Sequence, residues 1–111
     1  MPNAVEDSSL ARVFFALGDG TRLMLVSRLL AAGALSASVL AADQAISRQA
    51  IVKHLHVLEG AGLVRHERQG REVLYSLEKA RIDEARAFLD AVSADWDQAL
   101  SRLKHLVESD N

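Results

Sequence analysis

Two places in this sequence begin a helix in the same way. Leu35 precedes Ser36, with Leu40 four residues beyond that serine; Ile46 precedes Ser47, with Ile51 at the same offset. A serine at the N-cap accepts a hydrogen bond from a free backbone N–H of the first turn. The apolar pair around it staples the chain and sets the angle at which the helix starts. Between the first helix and the second staple lies a brief turn, Asp43-Gln44-Ala45. A short helix, a brief turn and a stapled second helix form the pattern of a helix-turn-helix.

The surrounding segments fit that frame. Residues 8–17 place Leu10, Val13, Phe14 and Leu17 at helical spacing behind a serine cap at Ser8. Gly18-Asp19-Gly20 interrupts, and Asp19 or Thr21 can cap a second helix to about Ala32, where Gly33 stops it. In that helix Leu25, Val26, Leu29 and Leu30 form the expected buried stripe, with Arg22 and Arg28 facing outward. In the helix after Ser47, Ile51, Leu55 and Leu58 lie within about 60° of one another and point inward. Arg48, Gln49, Val52, Lys53 and His56 sweep the other side. Beyond Gly60 and Gly62, residues 63–67 and 72–77 read as strands, with Val73, Tyr75 and Leu77 alternating onto one face. Arg68-Gln69-Gly70-Arg71 joins them as a short hairpin loop.

A helix with a polar outer face beside a basic hairpin suits insertion into a DNA groove with a grip on the flanking backbone. The net charge of −2 looks unfavourable until it is divided. Residues 46–81 carry seven Lys/Arg against four Glu, and the rest carries six against eleven acidic groups. With a Debye length of about 8 Å at physiological salt, local charge governs phosphate binding. Arg48 and Gln49, in the first turn, are candidates for guanine and adenine edges. Ser47 caps the helix and can touch a phosphate; Lys53 and His56 suit phosphates. Val52 fits either a thymine methyl or packing on the wing, and His54 reads as a partly buried histidine. In the hairpin, Arg65, Arg68, Gln69 and Arg71 complete the DNA-binding set.

The last third is a helix from about Lys79 to Val107. Ile82, Ala85, Leu89, Val92, Trp96, Ala99, Leu103 and Leu106 alternate spacings of three and four, a heptad seam sustained over more than three heptads. So small a domain cannot cover a seam that long. Leu89, Val92, Trp96, Leu103 and Leu106, with Leu10, Val13 and Phe14 of the first helix, are the expected dimer interface.

Composition excludes several classes. With no cysteine there is no disulfide, thiolate metal site or thiol switch. No apolar run approaches the roughly 18 residues that span a bilayer, and MPNAVEDSSL is no signal region, so a cytoplasmic protein without membrane contact is expected. No Ser/His/Asp arrangement, phosphate loop or paired carboxylates point to catalysis.

These blocks together resemble the ArsR-type winged helix-turn-helix family of bacterial transcriptional repressors. FFALGDGTRLMLVSRLL is similar to the family's opening block, ISRQAIVKHLHVLEGAGLV to its recognition-helix block and RQGREVLYSL to its wing. The resemblance runs from about Phe14 to Leu77 and loosely to the end. It implies a homodimer built on the first and last helices, binding an inverted-repeat operator in double-stranded DNA, whose affinity a ligand or metal usually lowers. The chain departs from metal-sensing members. LSASVLAA at 35–42 offers no ligand where their thiolate box falls. His105 and Glu108 match half of their other site, but Val92 and Ala94 cannot supply the rest.

The expected architecture is mainly α with a small β-hairpin wing, one winged helix-turn-helix domain over 1–111. It comprises a dimerisation helix at 1–17, a DNA-binding core at 19–77 with the wing at 63–77, and a second dimerisation helix at 79–107. No cofactor, metal or catalytic residue is expected, and an inducer of unknown identity is left open. Two other readings stand beside it: a winged-helix protein–protein module that does not bind DNA, and a metal-responsive repressor with ligands other than cysteine.

Overall fold

A computed structural model describes residues 9–109. Its elements run α1 (Ser9–Leu17), α2 (Gly20–Ala32), β1 (Ala34–Ser36), α3 (Ala37–Ala41), α4 (Arg48–Gly60), β2 (Val64–Gln69), β3 (Glu72–Leu77) and α5 (Lys79–Ser109). The cap expected at Ser8 lies outside the described residues. The other caps form as their side chains dictate. The Asp19 carboxylate accepts from the Arg22 N–H at 3.0 Å, Ser36 Oγ from Val39 N–H at 3.2 Å, and Ser47 Oγ from Ala50 N–H at 3.1 Å. Each answers one of the free N–H groups of a first turn.

Leu25 and Leu29 of α2, Leu40 of α3, and Ile51, Leu55 and Leu58 of α4 are wholly enclosed in one core with Leu63 and Val64. Burying each such side chain contributes about 1.5–3 kcal/mol. Four inward or outward assignments need correction. Leu30 is 75% exposed, because at about 100° per residue it lies some 140° around α2 from Leu25. Val13, expected at a dimer surface, is fully buried in the chain's own core and has no surface to offer a partner. Arg22 and Arg28 turn back onto the protein. Arg22 Nε donates to the Ala16 carbonyl at 2.6 Å and a terminal nitrogen to the Phe15 carbonyl at 3.3 Å, tying off the end of α1. Arg28 donates to the Leu40 carbonyl at 2.9 Å and pairs with Asp43 at 3.3 Å.

The wing is larger than a hairpin. β3 is the middle strand of three, in the order β1-β3-β2, all antiparallel. β1 places Leu35 opposite Tyr75, so the residue that staples α3 also joins the sheet. β2 starts at Val64 and runs to Gln69, leaving Gly70-Arg71 as a two-residue turn with Gly70 at φ 64°. The passage from α4 to β2 depends on Gly62. At φ 79° its N–H donates to the Glu59 carbonyl, while Leu63 N–H reaches back to Leu58. That pairing is a Schellman closure. A side chain at Gly62 would also strike the Arg81 guanidinium, which approaches to donate to the Ala61 carbonyl at 2.9 Å.

α5 leaves this assembly soon after it begins. Ala85 is buried, and Phe88 packs on Phe14 with ring centroids 5.7 Å apart. From Leu89 onward the helix runs outward, and the molecule measures 70 Å along its longest axis.

Candidate nucleic-acid interface

α4 is held along two edges, which leaves a third stripe open. On one edge His54 meets the α1–α2 junction, its Nδ1 3.3 Å from the Arg22 guanidinium and 3.8 Å from Asp19. With arginine as the donor, Nδ1 is the acceptor. The backbone N–H of Arg22 holds the Asp19 carboxyl below the usual carboxylate range, against a smaller opposing effect of burial and with further help from the Arg22 charge. His54 thus positions the helix, as a partly buried histidine would.

On the other edge α4 faces the wing. Cross-strand partners share a sheet face, so Val64, His66 and Arg68 stand with Leu77, Tyr75 and Val73 on the side of α4. His66 Nδ1 bonds the Glu59 carboxylate of α4, and its ring lies 5.8 Å from that of Tyr75. Val52, left open between a thymine methyl and the wing, is half-buried against the core and shares a cleft wall with Val73 and Tyr75. Arg48 also points this way, its Nε donating to Ser38 Oγ of α3 at 3.1 Å.

Gln49, Lys53 and His56, spaced four and three residues apart, form the exposed stripe between these edges. Ser47 lies at its head as the cap, its Oγ already accepting a backbone N–H.

The basic residues of this region fall into two groups. Arg65 pairs with Glu78 at 2.9 Å, Lys79 with Asp83 at 3.0 Å and Arg81 with Glu84 at 2.9 Å. Arg65 also projects from the sheet face opposite α4, since its register partner Ser76 alternates with Tyr75. Among the described residues Arg48, Lys53, Arg68 and Arg71 have no carboxylate partner, and all four lie on α4 or near the wing tip. Gln69 sits at that tip opposite Glu72, and both are exposed. The positive charge is therefore narrower than the sequence count implied and better placed. A recognition helix with an open polar stripe, flanked by a basic wing, can insert into a groove and hold the backbone beside it.

Sequence reasoning missed Ser38, Glu59 and His66, which connect α4 to its neighbours. No local pattern marks Ser38. Glu59 and His66 were visible only as charges. Among the described residues no three His, Asp or Glu side chains gather where they could hold a metal ion. His105 is exposed, and Glu108 lies 3.9 Å from Lys104.

A family model described as a helix-turn-helix domain matches residues 17–67. The HTH-type transcriptional regulator Rv2034 of Mycobacterium tuberculosis is 37% identical over 99 residues, 89% of each chain. The solved structure of an ArsR-like transcriptional regulator from Rhodococcus sp. RHA1 superposes with a TM-score of 0.80 at 38% identity, covering 93% of this chain and 96% of its own. The chain belongs to the ArsR family of winged helix-turn-helix transcriptional regulators. A further neighbour, the transcriptional repressor BigR from Xylella fastidiosa, is 25% identical with a TM-score of 0.59 over 78% of this chain and 89% of its own. The helix-turn-helix domain matched in this ArsR-family regulator contains α4 and most of β2. No described helix is long and apolar enough to cross a membrane.

Proposed function

We propose that this ArsR-family regulator acts as a homodimeric repressor that binds an inverted-repeat operator through two copies of the α4–wing surface. The observation that carries the reading is the uncovered seam of α5. Leu89, Val92, Trp96, Leu103 and Leu106 are 47–66% exposed along one side of a helix about 46 Å long. Contiguous apolar surface of that extent calls for a partner, and a heptad seam is self-complementary across a two-fold axis. Leu10 and the outer part of Phe14 lie on the helix packed against the base of α5, and in the dimer they would extend that surface.

A two-fold axis would set the recognition helices about 34 Å apart, in successive major grooves of a pseudo-palindrome. Gln49 at the head of the exposed stripe is the proposed base reader, with Lys53, His56, Arg68 and Arg71 on phosphates and Gln69 at the wing tip. Repression is supported by the resemblance to BigR and to the family at large, since a dimer seated on a promoter blocks access to it.

Selection of bound duplexes from a random pool by the purified protein tests the reading, with sedimentation run in parallel. Recovery of two inverted half-sites about one helical turn apart, bound by a dimer, is the expected result. A monomer on a single half-site would break the two-fold arrangement. Recovery of no sequence at any salt concentration would leave a protein-interaction module in its place.

A further inference from the structure

Where α4 faces the wing, a cleft of about 340 Å³ opens between α3, α4 and β3. Val52 and Val73 form its apolar part; Ser36, Ser38, Arg48, Arg71, Glu72 and Tyr75 supply its polar groups. Tyr75 is the decisive residue. It is 7% exposed, its ring packed in the core. Among the described residues its hydroxyl has no hydrogen-bond partner, yet no polar side-chain atom there is sealed from solvent without one. The hydroxyl therefore reaches solvent, and Tyr75 lines the cleft, where an acceptor entering from outside can take the place of water on that O–H. Burial, with the Glu59 charge behind it, pushes the Tyr75 phenol pKa up against a smaller pull from Arg48, so the group stays a donor at neutral pH.

Two cations line the same cleft, each from a different element. Arg48 comes from α4, steered into place by Ser38. Arg71 comes from the hairpin turn. Neither has a carboxylate partner among the described residues, whereas Arg28, Arg65, Arg81 and Arg86 all do. Glu72 stands against an anion here, one carboxylate against two guanidinium groups. Two planar multidentate cations with an uncharged O–H donor match the acceptors of a phosphate. The cleft also lies between the groove-entering stripe of Gln49, Lys53 and His56 and the wing, where the strand bordering an occupied groove must pass.

We propose that the cleft seats one backbone phosphate in each operator half-site, gripped by Arg48, Arg71 and the Tyr75 hydroxyl, so that Arg48 holds the strand rather than reading a base. The proposal rests on the DNA-binding reading and deepens it. Free phosphate shares the same chemistry, and the test separates the two sources.

The test uses the purified full chain and an operator duplex in which single phosphates are replaced, one at a time, by uncharged methylphosphonate. One position per half-site is expected to lower wild-type affinity about tenfold and to have a clearly smaller effect in Arg48→Ala, where Arg71 and Tyr75 alone still hold that phosphate. Arg48→Ala itself should weaken all sequences by the same factor and reduce the salt slope by about one. Tyr75→Phe keeps the ring, and should weaken binding several-fold with the slope unchanged. Losses that simply add in Arg48→Ala at every position would overturn the proposal, as would an altered base preference with an unchanged slope. Competition by inorganic phosphate at fixed ionic strength, lost in Arg48→Ala and unaccompanied by any position-specific effect, would assign the cleft to a free anion and overturn the backbone role. If the wild type binds no duplex at all, the DNA-binding reading itself fails.

Discussion

In α4, Ile51, Leu55 and Leu58 are completely enclosed; in the outer part of α5, Leu89, Val92, Trp96, Leu103 and Leu106 are 47–66% exposed. Both helices carry apolar residues at spacings of three and four, and each reads from sequence as amphipathic. The contrast arises from length and position. α4 has 13 residues and lies between α2 and the wing, whereas α5 has 31 and outruns everything it could pack on. Helical spacing reports that a face must be covered. It does not report whether the cover comes from the same chain.

This contrast is tested most severely at α5. Leu89→Asp combined with Trp96→Asp should yield monomers by sedimentation and lower operator affinity by about 100-fold or more, since the second half-site loses its avidity. A dimer that survives both charges would remove the seam assignment. Next comes the contrast in stability. Leu55→Ala should cost about 2–5 kcal/mol in denaturant unfolding at any protein concentration. Leu103→Ala should cost less, and by an amount that grows with protein concentration, if its cover is the proposed second molecule. Equal and concentration-independent losses would mean that α5 is covered from within.

Two smaller effects refine the picture of α4 and its wing. Arg71→Ala should weaken binding to every sequence and lower the salt slope by about one, measured by titration at several salt concentrations. Ser47→Ala should destabilise by about 1 kcal/mol through loss of the cap. The smallest effect concerns acid. Asp19 has its folded pKa lowered, chiefly by the Arg22 backbone N–H, so its charged form stabilises the fold above the unfolded carboxylate value. That contribution is lost as the pH falls through the lowered folded value. The stability gap between wild type and Asp19→Asn should hold steady at neutral pH, begin to close below about pH 4 and vanish at lower pH. A gap that widened in acid would contradict the assigned direction.

Much of the α4–wing region was legible because its signals are local. Ser36 and Ser47 cap where the staples place them, since a cap and its N–H lie three residues apart. Alternation placed Tyr75 on the inner sheet face, for a strand's side chains reverse at every residue. The misses come from contacts between distant residues. β1 is three residues long and exists as a strand because β3 lies beside it. Arg22 looked like a solvated charge until the end of α1 and His54, 32 residues away, came within reach. Arg65 belonged with the DNA-facing bases by composition, but register puts it on the other sheet face beside Glu78.

Where helices start, which faces are apolar, that bases concentrate between 46 and 81, and that the final helix carries a seam too long for the domain were all set within the sequence. These properties depend on neighbours within about one helical turn, or on simple counts. Tertiary packing decided which of those bases remain unpaired, that Val13 belongs to the core, that the α5 seam stays open, and that Arg48 bends toward Ser38 beside the open Tyr75 hydroxyl. Ion pairing, burial and cleft formation depend on which distant groups approach to within a few ångströms, a distance set by packing rather than by any spacing along the chain.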